Sequence, residues 1–127
     1  MYLRDGSFDE DGALKLIEGI LTGARQQGYP RTRLIGEMDW ALEKRVHLAD
    51  VMRLEARFNS LLSKYDDPVI CVYDLSRFSG AAVLYAMRTH PIAIVGGILQ
   101  QNPFYVPPEQ IMDELRERAQ DFGKCDE

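Results

Sequence analysis

The sequence predicts an α/β fold, three-layered around a mostly parallel sheet, on three observations. Helical and strand patterns alternate along the chain. The run Val69-Ile70-Cys71-Val72-Tyr73 is continuously apolar, which suits a strand buried on both faces of a parallel sheet. At 127 residues the chain suits one domain with one core.

Tyr2 to Ser7 reads as a strand end and a turn. Phe8 then leads into a helix over residues 9–27, where Leu14, Ile17, Leu21 and Ala24 share one face. Gly12, Gly19 and Gly23 weaken that helix, so packing must hold it, and Gly28 ends it. Residues 31–36 form a short strand, with Thr32, Leu34 and Ile35. The segment Glu37-Met38-Asp39-Trp40-Ala41-Leu42 is a loop entering a short helix capped by Asp39. A second long helix covers 49–65 on a stripe of Val51, Leu54, Phe58, Leu61, Leu62 and Tyr65, and Asp66-Asp67-Pro68 breaks it.

Strand 69–73 follows, then the loop Asp74-Leu75-Ser76-Arg77-Phe78. Ser79 caps a helix running through Arg88, which His90-Pro91 ends because a residue before proline avoids helical geometry. Residues 91–95 make another apolar strand, and Gly96-Gly97 turns it into Ile98-Leu99-Gln100 as a hairpin. Pro107-Pro108 opens a last helix with Ile111, Met112, Leu115, Ala119 and Phe122 inward. Residues 1–122 form the domain, and 123–127 are expected to be a mobile tail.

Composition excludes several classes. Acidic residues outnumber basic ones, 20 to 15, for a net charge of -5. The arginines are scattered (Arg25, Arg31, Arg33, Arg53, Arg57, Arg88, Arg116, Arg118) rather than gathered on one face, which argues against direct nucleic-acid binding. No apolar run approaches the roughly 20 residues that span a bilayer, and the N-terminus lacks a signal pattern. A cytoplasmic location is expected. Two cysteines make no disulfide framework: Cys71 reads as a core residue and Cys125 as part of a polar tail. With only His47 and His90, and no CxxC or HExxH spacing, neither a metal centre nor a cofactor is expected. Phosphate-loop motifs are absent as well.

Ligands of parallel sheets bind beyond the carboxyl ends of the strands. That rule selects Glu37, Asp39 and Trp40 after one strand, and Tyr73, Asp74, Arg77 and Phe78 after another. Aromatic walls, carboxylates and a guanidinium suit a small organic ligand. The competing structural reading is a local Asp74–Arg77 ion pair with packed aromatics. A secondary cluster is His90, Asn102, Phe104 and Tyr105, for which turn chemistry is the simpler account. Catalysis would need a nucleophile beside a base. Ser76 and Asp74 have no such partner, since His90 is expected at the far end of the sheet.

Ordered segments resemble the MEDS domains, a sensory family named for methanogens, methylotrophs and the DcmR regulator. They are Tyr2-Leu3-Arg4-Asp5-Gly6-Ser7-Phe8-Asp9, Gly36-Glu37-Met38-Asp39-Trp40-Ala41-Leu42, Glu55-Ala56-Arg57-Phe58-Asn59, Asp67-Pro68-Val69-Ile70-Cys71-Val72-Tyr73-Asp74-Leu75-Ser76-Arg77-Phe78-Ser79-Gly80, Arg88-Thr89-His90-Pro91, Gly96-Gly97 and Asn102-Pro103-Phe104-Tyr105-Val106-Pro107-Pro108-Glu109. The resemblance implies a RecA/KaiC-like sheet without a working phosphate loop. It also implies sensing of simple hydrocarbon derivatives and a histidine kinase or transcription regulator as partner. Full MEDS domains carry an earlier strand and helix, whereas Met1 stands directly before the first motif here. An open sheet edge, an uncovered apolar face and homo-oligomerisation through that edge are therefore expected. The alternatives are an interaction or dimerisation module without a ligand and, less favoured, a small hydrolase.

Overall fold

A computed structural model of the chain describes residues 3–4, 7–43, 45–118 and 123–126. In order these form β1 (Leu3–Arg4), β2 (Ser7–Phe8), α1 (Glu10–Gln26), β3 (Leu34–Glu37), a 3-10 turn (Met38–Leu42) and α2 (Leu48–Leu62). Then come β4 (Val69–Val72), α3 (Gly80–Thr89), β5 (Ile92–Val95), β6 (Ile98–Gln101) and α4 (Pro108–Arg118). The class is α/β. Strands β3 and β4 are parallel, joined through α2, with Leu34 opposite Val69 and Glu37 opposite Val72. Strands β1–β2 and β5–β6 are antiparallel pairs.

One expectation is corrected here. Strand β5 does not extend the parallel pair. It folds back on β6, with Ile92 opposite Gln101 and Val95 opposite Ile98. Gly96 (φ 58°) and Gly97 (φ 78°) take the left-handed backbone that a tight hairpin turn requires. The hairpin thus satisfies backbone groups of β5 locally. The described strands make three two-stranded ladders, of which one is parallel.

A second correction concerns burial. Residues 69–71 are only half-buried, and Val72 is 45% exposed. Along β3, Leu34 and Gly36 are half-buried while Glu37 is exposed and Ile35 is 68% exposed. Alternation of this kind marks a sheet covered on one face.

The core has two parts. One joins Met38, Ala41, Val46, Leu48, Val51, Met52, Ala56, Phe78, Ala82, Ile111, Leu115 and Cys125. The other joins Ala13, Ile17, Leu21, Leu54 and Phe58. Helix α2 contributes to both, so it is the central element, packed against α1, α3 and α4. Ala119 and Phe122, expected on the inner side of α4, lie outside the described residues.

Helix ends follow side-chain chemistry. The Asp9 carboxylate accepts the Gly12 N–H at 3.1 Å, and Ser79 Oγ accepts the Ala82 N–H at 3.1 Å. Gly28, at φ 93°, terminates α1. Asp39 is not the cap expected of it: Glu37 precedes the 3-10 turn, and the Asp39 carboxylate is turned toward Arg77 instead. Arg88 clasps Glu114 through two bonds of 2.7 and 2.6 Å, tying α3 to α4. Arg53 bonds Glu10 at 2.8 Å, tying α2 to α1.

The segment expected to be a mobile tail is anchored at its described residues. The Leu48 N–H donates to the Gly123 carbonyl at 3.0 Å, and the Ser79 N–H donates to the Cys125 carbonyl at 2.9 Å. The Cys125 side chain is buried in the core. A thiol that packs as a small apolar group explains why a polar stretch docks.

Leu54 has no exposed surface and sits where α2 meets α1. Leu54→Ala is expected to destabilise the fold by about 2–5 kcal/mol through lost burial and a residual cavity. Urea unfolding should show a lower midpoint with an unchanged slope.

Candidate functional site

Parallel pairing of β3 and β4 sets Glu37 opposite Val72, so the loops after both strands emerge together. Arg77 Nη1 donates to Asp39 Oδ2 at 2.7 Å and links those loops. The local Asp74–Arg77 pair is replaced by this longer-range one. Asp74 instead accepts the Ser76 N–H at 3.0 Å and the Ser76 hydroxyl at 2.6 Å, which hold its carboxyl below the ordinary range. Glu37 is pushed upward, first by sharing a hydrogen bond with the Asp39 carboxylate.

The aromatic residues of this cluster divide. Trp40 stays near the mouth, stacked on Phe8 with ring centroids 5.6 Å apart. Tyr73 and Phe78 turn into the core and meet edge to face at 5.1 Å. Phe78 is buried.

Between α1, α2 and the parallel pair runs an open groove of about 550 Å³. Ile17, Ile20, Leu34, Ile35, Phe58, Leu62, Val69 and Cys71 line it, and Glu37, Met38 and Trp40 close one end. An apolar channel with a carboxylate and an indole at its mouth has the composition of a small-molecule site. Glu37 and Trp40 are thus the two expected site residues that border this groove.

A second polar group lies in the core, and two of its members, Glu55 and Cys71, are not among the expected site residues. Glu55 of α2 is buried, and both carboxylate oxygens lie 3.7 and 3.8 Å from Cys71 Sγ of β4. His90, at the end of α3, places Nε2 3.3 Å from Glu55 Oε2. The Tyr73 ring stands 6.2 Å from the His90 ring, nearly perpendicular. Burial pushes the Glu55 carboxyl up, with His90, Cys71 and Tyr73 opposing that shift. The Cys71 thiol and Tyr73 hydroxyl are raised by burial and by the nearby carboxylate.

His90 is therefore not remote from β4, contrary to expectation. Because β5 leaves the parallel pair, the end of α3 packs beside α2 and brings its histidine to Glu55. The sequence held one signal of this cluster. Glu55 lies four residues after Val51 and three before Phe58, a carboxylate on the inward stripe.

In the secondary cluster His90 and Asn102 do meet, through the backbone. Asn102 Nδ2 donates to the carbonyls of Met87 and His90, the latter at 2.7 Å, and Oδ1 accepts the Phe104 N–H at 3.0 Å. Asn102 is buried, Tyr105 half-buried and Phe104 exposed. This is the geometry of a side chain closing a turn.

The family model described as MEDS, "MEthanogen/methylotroph, DcmR Sensory domain", matches residues 1–91. The chain belongs to the MEDS family. Family membership assigns this MEDS domain a regulatory, sensory role. A curated relative, the transcriptional repressor DcmR of Methylorubrum extorquens (strain DSM 6343 / CIP 106787 / DM4), is 32% identical over 79 residues. That match covers 61% of the MEDS chain but only 29% of the repressor. No solved structure matches the chain. The matched region contains the whole lining of the groove and Glu55, Cys71, Tyr73 and His90. The β5–β6 hairpin and α4 of this MEDS domain lie beyond it.

The Glu55 shift has a signed consequence. A carboxyl whose folded pKa is raised keeps its proton in the native state after the unfolded chain has lost it. Stability therefore falls as pH rises from the ordinary value of 4.5 to the folded value. Glu55→Gln retains the shape and removes this titration. Urea midpoints at pH 5 and pH 8 should differ less for Glu55→Gln than for the unsubstituted domain.

Proposed function

We propose that this MEDS domain is a non-catalytic sensor that binds a small organic molecule in the groove between α1, α2 and the parallel strands. The observation carrying this reading is the groove's lining, apolar along its length and polar at one end. Its volume of about 550 Å³ falls in the range of small-ligand sites. A simple hydrocarbon derivative would lay its apolar part against Ile20, Ile35 and Leu62. Its polar end would reach Glu37 beside Trp40, with the Asp39–Arg77 pair fixing the mouth. Supporting a non-catalytic role, the Ser76 hydroxyl is engaged by Asp74, and His90 is turned toward Glu55 in the core.

Thermal-shift measurements with C1–C4 alcohols, aldehydes, acids and halomethanes test the reading. At least one class should raise Tm and change Trp40 fluorescence, and Ile35→Asp should abolish both responses. A flat response to every class would remove the proposal.

A second reading, self-association, is favoured by the β5–β6 hairpin. Ile92, Ile94, Val95, Ile98 and Leu99 are each more than half exposed there. A paired ribbon with unpaired outer edges and apolar faces recruits another strand or surface. Relay to a histidine kinase or transcription regulator would use the same ribbon. Sedimentation at micromolar concentration should show a dimer that Ile98→Lys converts to monomer; a monomeric unsubstituted domain would exclude this reading.

A further inference from the structure

We infer that Glu55, Cys71 and His90 form a three-ligand site for a tetrahedral divalent cation of the zinc type, with one coordination position left for an outside ligand. The three side chains come from α2, β4 and the end of α3, and their ligand atoms all lie within 4.8 Å of one another.

Two of the three ligand–ligand separations match tetrahedral coordination, and the third, Cys71 Sγ to His90 Nε2, lies within 4.8 Å. Zinc binds nitrogen and carboxylate oxygen at about 2.0–2.2 Å and thiolate sulfur at about 2.3 Å. A tetrahedral angle then sets nitrogen and oxygen ligands about 3.3 Å apart, and sulfur and oxygen about 3.6 Å apart, from those same bond lengths. The His90 Nε2 to Glu55 Oε2 distance is 3.3 Å, and Cys71 Sγ lies 3.7 and 3.8 Å from the two Glu55 oxygens.

The histidine is prepared as a ligand. His90 Nδ1 lies 2.6 Å from the Ala86 carbonyl, which can only accept, so Nδ1 carries a hydrogen. In the neutral ring Nε2 then holds a lone pair directed at the carboxylate, the arrangement of metal-bound imidazole with its other nitrogen held by backbone. Two lone-pair-bearing groups at that distance repel unless a proton or cation lies between them. Nε2 is buried and makes no well-directed hydrogen bond in this approach.

The carboxylate needs positive charge. The Glu55 side chain is 4% exposed, and what faces it is a histidine rather than Lys or Arg. An ionised carboxylate left so deep is costly, and a divalent cation offsets that cost while stabilising the Cys71 thiolate. Binding transfers the thiol proton to solvent and forms the metal–sulfur bond. Beside Glu55 and Tyr73 lies a cavity of about 10 Å³, about the space one water-sized ligand needs.

The test is cobalt titration of the metal-free, reduced domain, followed by optical absorption, with zinc as competitor. One cobalt per chain should bind, giving a thiolate-to-metal band in the near ultraviolet and intense tetrahedral bands in the visible. Cys71→Ser should lose the near-ultraviolet band, and Glu55→Gln and His90→Gln should each weaken uptake at least tenfold, whereas Cys125→Ser should retain it. X-ray absorption of the zinc-loaded, unsubstituted domain should give one sulfur ligand, a readout that stands even if a variant fails to fold. No cobalt uptake at micromolar concentration, two sulfur ligands, or a band lost with Cys125 instead of Cys71 would overturn the inference.

Discussion

The packing of α2 on several sides is the constraint from which the rest of the structure follows. Seven of its fifteen residues, Leu48, Val51, Met52, Leu54, Glu55, Ala56 and Phe58, are buried. They face α1 in one direction and α3 with α4 in others. A helix enclosed this way cannot turn a charged side chain to solvent without exposing apolar neighbours. Glu55 therefore goes inward, and its neighbours are polar by necessity: Cys71 from β4, Tyr73 just after it and His90 at the end of α3. The buried carboxyl is the electrostatic cost of making α2 the hub, and the surrounding donors limit it.

The strands show the complementary situation. Among the described residues the parallel pair has two strands, and Ile35 and Val72 stay exposed on it. The hairpin β5–β6 is exposed along its apolar residues. Small sheets leave many edges per strand, and apolar edges are where partners or ligands attach. The groove belongs to this pattern, since it lies where α1 and α2 meet the parallel pair without filling the space between.

Cys71 borders both places. It lines the groove and its sulfur approaches Glu55 inside the core. Cys71 thus touches both the groove proposed for the ligand and the polar core. From there Glu55 and His90 lead to the end of α3, and Asn102 joins His90 to the turn after β6. These contacts form a continuous physical chain between groove and hairpin.

Much of this was legible in the chain alone. The helices were marked by three- and four-residue spacing, by the cap Ser79 and by the breakers Gly28 and Pro68; the hairpin was marked by Gly96-Gly97. These are local rules, acting within a few residues, so sequence suffices for them. The position of Glu37 and Trp40 at the end of a parallel strand was also legible, because the loops after parallel strands open toward one side. What only the tertiary structure decided was long-range: that β5 pairs with β6 rather than β4, that Arg77 reaches Asp39 rather than Asp74, that Cys125 is core, and that Glu55, Cys71 and His90 converge. No spacing rule could find the last group, whose members are 16 and 19 residues apart on three separate elements. Their meeting depends on how helices pack around α2, which is a property of three-dimensional burial and not of neighbouring residues.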